Sequence, residues 1–186
     1  MSTEKDPIVH VVADRMRIAI TGDDRTKWLN GMVTCDVTPL ATAATPRATY
    51  GCILNVKGKV LADVIVVASE GRLGAWVPRG TAAAVLELWN KYIIMEDCEV
   101  ALDETRALVS VQGAGAEALL ASLTSEPFAA QAAPLDELGI GGGLVLEVAG
   151  SEGAAVTARL AEAGARPADE AEVQRRRIGA ARPAFG

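Results

Sequence analysis

Apolar and polar positions set the elements before any composition is counted. Ile8 to Val12 and Arg17 to Thr21 predict two short strands, the second running into a Thr-Gly-Asp-Asp turn. Asp23 or Asp24 is then placed to cap a short helix that closes at Asn30-Gly31 and presents Trp28 to an apolar surface. Ala48 to Asn55, the turn Val56-Lys57-Gly58 and the β-branched run Val60 to Ser69 predict a hairpin. Glu70-Gly71 returns the chain into Leu73 to Val77, which makes a three-stranded meander. Thr81 then opens a helix whose Val85, Leu88, Trp89 and Tyr92 share one face.

A second passage follows the same strand-then-helix order without repeating the sequence. Ala107 to Gln112 is a strand, and Ala116, Leu119, Leu120 and Leu123 line the helix after it. Residues 124–143, rich in Ala, Pro and Gly, are expected to form a long connection. Leu144 to Val148 is a strand, Val156, Leu160 and Ala163 mark a helix ending at Gly164, and a last helix runs from Asp169 to about Arg177. The pattern is α+β with mostly antiparallel strands.

Composition narrows the function classes. The 186 residues are 50% hydrophobic but only 4% aromatic, so the core must be aliphatic, with Trp28, Trp76 and Trp89 as its large anchors. That apolar content offsets the ordering entropy and excludes general disorder. A net charge of −6 disfavours general nucleic-acid binding. Cys35, Cys52 and Cys98 form no CxxC pair and suit a reducing compartment as packing residues. The polar opening is unlike a signal peptide and no apolar run approaches membrane-spanning length, so a soluble cytoplasmic protein without membrane contact is expected.

Candidate chemistry is sparse. There is no phosphate-binding loop motif and no zinc spacing, and the single histidine, His10, reads as a surface strand residue. Asp63 is the residue that local physics leaves unexplained, because it interrupts an aliphatic strand and shares parity with Leu61, Ile65 and Val67. A carboxylate there loses solvation and is prepared to accept or share a proton, whereas on an edge strand it would merely block sheet-to-sheet association. Arg175, Arg176 and Arg177, with Arg182 following, are the only concentrated positive charge. They either form a solvated helix end or bind a carboxylate-bearing ligand.

The order of motifs resembles a known family. Thr21-Gly22-Asp23-Asp24 with Trp28-Leu29-Asn30-Gly31 and Val33-Thr34-Cys35-Asp36-Val37 resembles the opening of the glycine cleavage T-protein (aminomethyltransferase) and its folate-binding paralogues linked to iron–sulfur cluster assembly. Leu54 to Asp63 is similar to their second signature, and Val111-Gln112-Gly113-Ala114-Gly115-Ala116 to a Gly-Pro-x-Ala step with Ala114 in place of proline. Arg177-Ile178 with Pro183 and Gly186 is similar to the end of their folate-binding region.

That resemblance implies two interleaved α+β lobes, approximately 1–50 with 145–186 and 51–144, one of them ferredoxin-like, around a tetrahydrofolate pocket. It implies that Asp63 engages the folate nitrogens in one-carbon transfer, that Arg177 approaches the folate glutamate, and that Trp76 and Arg79 lie at the rim, Arg79 where the family carries an asparagine. The family's pterin-reading carboxylate has no counterpart in Gly142-Gly143-Leu144-Val145-Leu146. Ending at Gly186, the sequence is expected to lack the family's C-terminal β-rich domain. A protein partner or homodimer covering that face is therefore expected, in place of a complete enzyme. The alternatives are a non-catalytic interaction module that lost the folate site, and a subunit of a folate-linked amine-oxidising complex with a flavoprotein partner.

Overall fold

The computed structural model describes residues 7–69 and 71–181, so Arg182, Pro183 and Gly186 lie outside the described residues, as do the first six. The chain divides into two compact units, one running Asp14–Glu104 and the other joining the segment before it to the segment from Thr105 onward. This interleaving differs from the expected lobes, whose boundaries lay near residues 50 and 144. Strand pairing is the reason: the strand that begins at Arg15 pairs inside the middle unit on both its edges.

The middle unit holds β2 (Arg15–Thr21), β3 (Arg47–Leu54), β4 (Val60–Ser69), β5 (Arg72–Pro78) and β6 (Glu99–Asp103) in the sheet order β3-β4-β5-β2-β6, all antiparallel. Helices α1 (Arg25–Met32), α2 (Thr38–Ala41) and α3 (Ala82–Asn90) accompany it. Strand period fixes the core: Met16, Ile18 and Ile20, Ala62, Val64 and Val66, and Leu73, Ala75 and Val77 meet Trp28, Leu29, Val85 and Trp89. The Trp28 and Trp89 rings stand edge to face, 5.6 Å apart. The predicted meander is present, but β6 was not expected.

Asp24 does not cap α1 with its side chain; its Oδ2 instead accepts from the Asp97 backbone N–H at 2.9 Å, tying the turn before α1 to the segment that leads into β6. Asn30-Gly31 does not end that helix, which continues to Met32.

The other unit holds β1 (Ile8–Val11), β7 (Arg106–Gln112), β8 (Ala132–Pro134), β9 (Gly143–Ala149) and β10 (Arg166–Pro167) in the order β10-β1-β7-β9-β8. Its helices are α4 (Ala116–Ala121), α5 (Gly153–Glu162) and α6 (Glu170–Gly179). From β7 on, the chain runs strand, helix, strand, strand, helix, strand, the ferredoxin-like succession, with β1 inserted between its first and last strands. Val109, Val111, Leu144, Leu146 and Val148 pack with Ala116, Val156 and Leu160. The expected long connection at 124–143 contains β8, too short to show a period.

Candidate functional site

Asp63 lies in the middle of the β4 strand, paired with Cys52 of β3, and is 3% exposed. The edge-strand reading therefore fails: β4 sits between β3 and β5, and a carboxylate there protects no edge. Period 2 puts Arg15 and Arg17 of β2, Trp76 of β5 and Tyr50 and Cys52 of β3 on the same face as Asp63.

The geometry around Asp63 is asymmetric. Its Oδ2 accepts from Arg15 Nη2 at 2.6 Å and from the Tyr50 hydroxyl at 3.1 Å. Its Oδ1 is buried and has no hydrogen-bond partner among the described residues. Arg15 is held in turn by the Trp76 carbonyl, which accepts from Nη1 at 3.1 Å. Burial first, and then the negative charge and hydrogen bond of Asp63, push the Tyr50 phenol up to about 12, so it stays a donor at neutral pH. Beside this group, Arg17 Nη1 donates to Asp103 Oδ2 at 2.9 Å. Such buried ion pairs are kept by geometry, since desolvation costs each charge several kcal/mol unless partners restore it.

Of the expected site residues, Asp63, Trp76 and Arg79 belong to the middle unit and Arg177 to the other. Trp76 is buried on the Asp63 face, and Arg79 is exposed, with Nη2 donating to the Arg15 carbonyl at 3.2 Å. Arg15 and Tyr50 were missed. An arginine or tyrosine at a strand position ordinarily reads as solvent-facing; their shared parity with Asp63, visible once the register is known, is the signal that links them.

Arg177, buried on α6, places Nη2 3.6 Å from Glu137 Oε1. Glu137 Oε2 accepts from the Ser110 hydroxyl at 2.9 Å, and the Glu137 backbone N–H donates to Gln112 Oε1 at 2.9 Å. Gln112 completes the knot by donating from Nε2 to Ser110 Oγ and to the Leu135 carbonyl, both at 3.0 Å. Gly143 lies opposite Gln112, and a Cβ there would come within 2.1 Å of Oε1, so glycine is what lets the amide lie flat across the β9 strand. Next to this knot, the Asp136 carboxylate accepts from the backbone N–H groups of Ile140, Gly141 and Gly142. Burial raises Asp136, but those N–H groups outweigh it and leave it below the usual carboxylate range. Thus the Gly-rich stretch carries no acid of its own, yet Glu137 and Glu147 bring buried carboxylates to the same unit. His10 is buried as well, not on the surface as expected, because β1 is interior to its sheet.

Residues 9–139 match the model of the GCVT N-terminal domain. The chain belongs to that family. Among curated relatives, the tRNA-modifying proteins YgfZ of Escherichia coli K12 and of Shigella flexneri are each 32% identical over 123 residues, 64% of this chain and 36% of theirs. The chain thus spans about a third of the length of these relatives. Among solved structures, the glycine cleavage system aminomethyltransferase T from Bartonella henselae shares the fold at a TM-score of 0.63 and 20% identity, over 85% of this chain and 46% of that one.

Two further observations bound the chemistry of this GCVT domain. Among the described residues no helix is long and apolar enough to cross a membrane, and no cluster of three His, Cys, Asp or Glu side chains could hold a metal ion. The three cysteines are free, and burial pushes each thiol up, Cys98 to about 11, which fits packing residues and not nucleophiles.

Proposed function

We propose that this GCVT domain binds tetrahydrofolate and acts with a partner protein in one-carbon (aminomethyl) transfer or in the maintenance of iron–sulfur clusters. The observation that carries this reading is the buried Asp63, whose Oδ2 accepts from Arg15 and Tyr50 while Oδ1 is a buried acceptor with no partner among the described residues. A folate nitrogen bearing a proton satisfies such an oxygen. Asp63 accordingly acts as a fixed anion toward an N–H donor, with Trp76 beside it on the face and Arg79 at the rim. Membership of the family and the shared fold support the assignment, and the name of the YgfZ relatives connects the family to tRNA modification. With a net charge of −6, we place that connection in the chemistry and not in direct contact with tRNA. Free thiols fit a reducing cytoplasm.

Calorimetric titration with tetrahydrofolate tests the reading. Wild type is expected to bind, and Asp63→Asn to bind at least tenfold more weakly, a loss on the scale of one charge-assisted hydrogen bond, about 1.5–3 kcal/mol. No heat at millimolar folate, or equal affinity in the variant, defeats it.

The Arg15 pair also favours a second reading, in which the guanidinium occupies the place of a ligand and the domain is an interaction module that kept its scaffold. There Arg15→Met gains folate binding that wild type lacks. A monodisperse monomer without partners in light scattering would count against this module, which needs a partner or a second copy.

A further inference from the structure

A groove of about 520 Å³ lies on the unit built from β1 and the segment after Thr105. It is lined by Arg175 and Arg176 of α6, with Glu172, Ile140 and the backbone of Gly113 and Gly179. Its size is that of a small-molecule site, about 300–1,000 Å³.

The charges in the groove are unequally used. Glu172 accepts from Arg166 through both its oxygens, Arg166 Nη1 to Oε2 at 2.7 Å and Arg166 Nη2 to Oε1, and it also accepts from Arg176 Nε at 3.1 Å. These contacts, led by the Arg166 hydrogen bonds, hold the Glu172 carboxyl down at about 2 and neutralise it as a wall of the site. They orient Arg176 through its Nε, and its two terminal nitrogens have no hydrogen bond among the described residues. Arg175 has no hydrogen bond or ion pair among the described residues. Two guanidinium groups, Arg166 and Arg176, therefore share the Glu172 carboxylate, and Arg175 adds a positive charge with no carboxylate partner among the described residues, in a chain whose net charge is −6. The fold makes use of Arg166 and Arg176 as partners of Glu172; it makes no comparable use of Arg175. A surplus cation beside a fixed guanidinium, both on a concave surface with Ile140 as apolar wall, is a receptor arrangement and not merely a solvated helix end.

We propose that this groove binds a small anionic molecule, its phosphate or carboxylate held between Arg175 and Arg176 and its apolar part resting on Ile140. Guanidinium pairs bidentately with either oxyanion, so the chemistry is common to both sources. Gly179 lines the groove. A Cβ placed on it meets no atom of the described residues within 4 Å, so a larger side chain there fills the groove without disturbing their packing.

The test is a pair of titrations of the whole chain at low ionic strength, one with inorganic phosphate and one with glutarate, followed by amide chemical shifts at Gly113, Ile140 and Gly179. Saturable shifts with either probe support the site and name its source. Arg175→Gln should weaken the responding probe at least fivefold, and Gly179→Leu should abolish its shifts while the melting temperature stays at or above wild type. Asp63→Asn should leave the response unchanged, which separates this site from the folate reading. The proposal is overturned if neither probe gives saturable shifts at millimolar concentration, or if both groove variants respond like wild type. It is equally overturned if an RNA duplex shifts these amides while phosphate and glutarate do not.

Discussion

Tyr50 reports on Asp63 more directly than any other residue. Its phenol ordinarily titrates at 10 and stands at about 12 in the fold, burial being the larger cause and Asp63 the next. Between those values the folded state keeps a proton that the unfolded chain has released, so stability present below pH 10 is lost as pH rises toward 12. In a Tyr92→Phe background, which leaves one tyrosine of the two, Asp63→Asn should move the tyrosinate absorbance midpoint down toward 10. An unmoved midpoint would mean that the two groups are not coupled. Arg15 carries a different expectation. Removing it strands a buried carboxylate, so Arg15→Met should cost about 3–5 kcal/mol in urea unfolding, and Arg15→Met with Asp63→Leu should recover most of that loss. Asp63 could be singled out from sequence because a charge inside an aliphatic run is anomalous at once. Arg15 could not, because the partner that explains it lies 48 positions away.

At the scale of elements, legibility followed burial. β4 and β5 could be predicted because their side chains alternate between two faces, one of them built almost wholly of aliphatic residues. β6 is exposed along most of its length, and its apolar alternation is confined to Val100 and Leu102 on either side of Ala101, too short to mark a strand. β8 and β10 have three and two residues, too few for any pattern. The Gly143 position on β9 gives a sharp test of how the polar knot is held. Gly143→Ala drives a methyl into the Gln112 amide and should destabilise the fold by about 1–3 kcal/mol, the range for forced overpacking. Gly179→Ala on α6 meets no neighbour and should be neutral or stabilising by about 0.5–1 kcal/mol, as helix propensity dictates. Equal melting temperatures for the two variants would contradict this contrast. α6 also has an acid limb. Glu172 falls from its ordinary 4.5 to about 2, so the stability it contributes is present above pH 4.5 and lost as pH falls through about 2. Glu172→Gln should flatten acid unfolding across that window.

The whole molecule is two units threaded through one chain, and this was only half legible. The α+β class and the interleaving could be anticipated, but the cut points could not, because the register that sends β2 into the middle sheet depends on partners far along the sequence. Asp14–Glu104 is continuous and owns its aliphatic core. A fragment of residues 14–104 should therefore melt cooperatively by circular dichroism; a gradual, featureless loss of signal would show that its core does not suffice. The other unit has no such autonomy, because β1 is emplaced between β7 and β10. During synthesis β1 leaves the ribosome with neither neighbour yet made. Its first partner, β7, is complete only at Gln112, and its second at Pro167. At about 5–20 residues per second, the 55 residues between those points take about 3–11 seconds to add. For that interval the nascent chain carries a finished middle unit and a β1 with one edge open, so chaperone capture at Ile8–Val11 is expected to peak after the middle unit has folded and to end when Pro167 emerges.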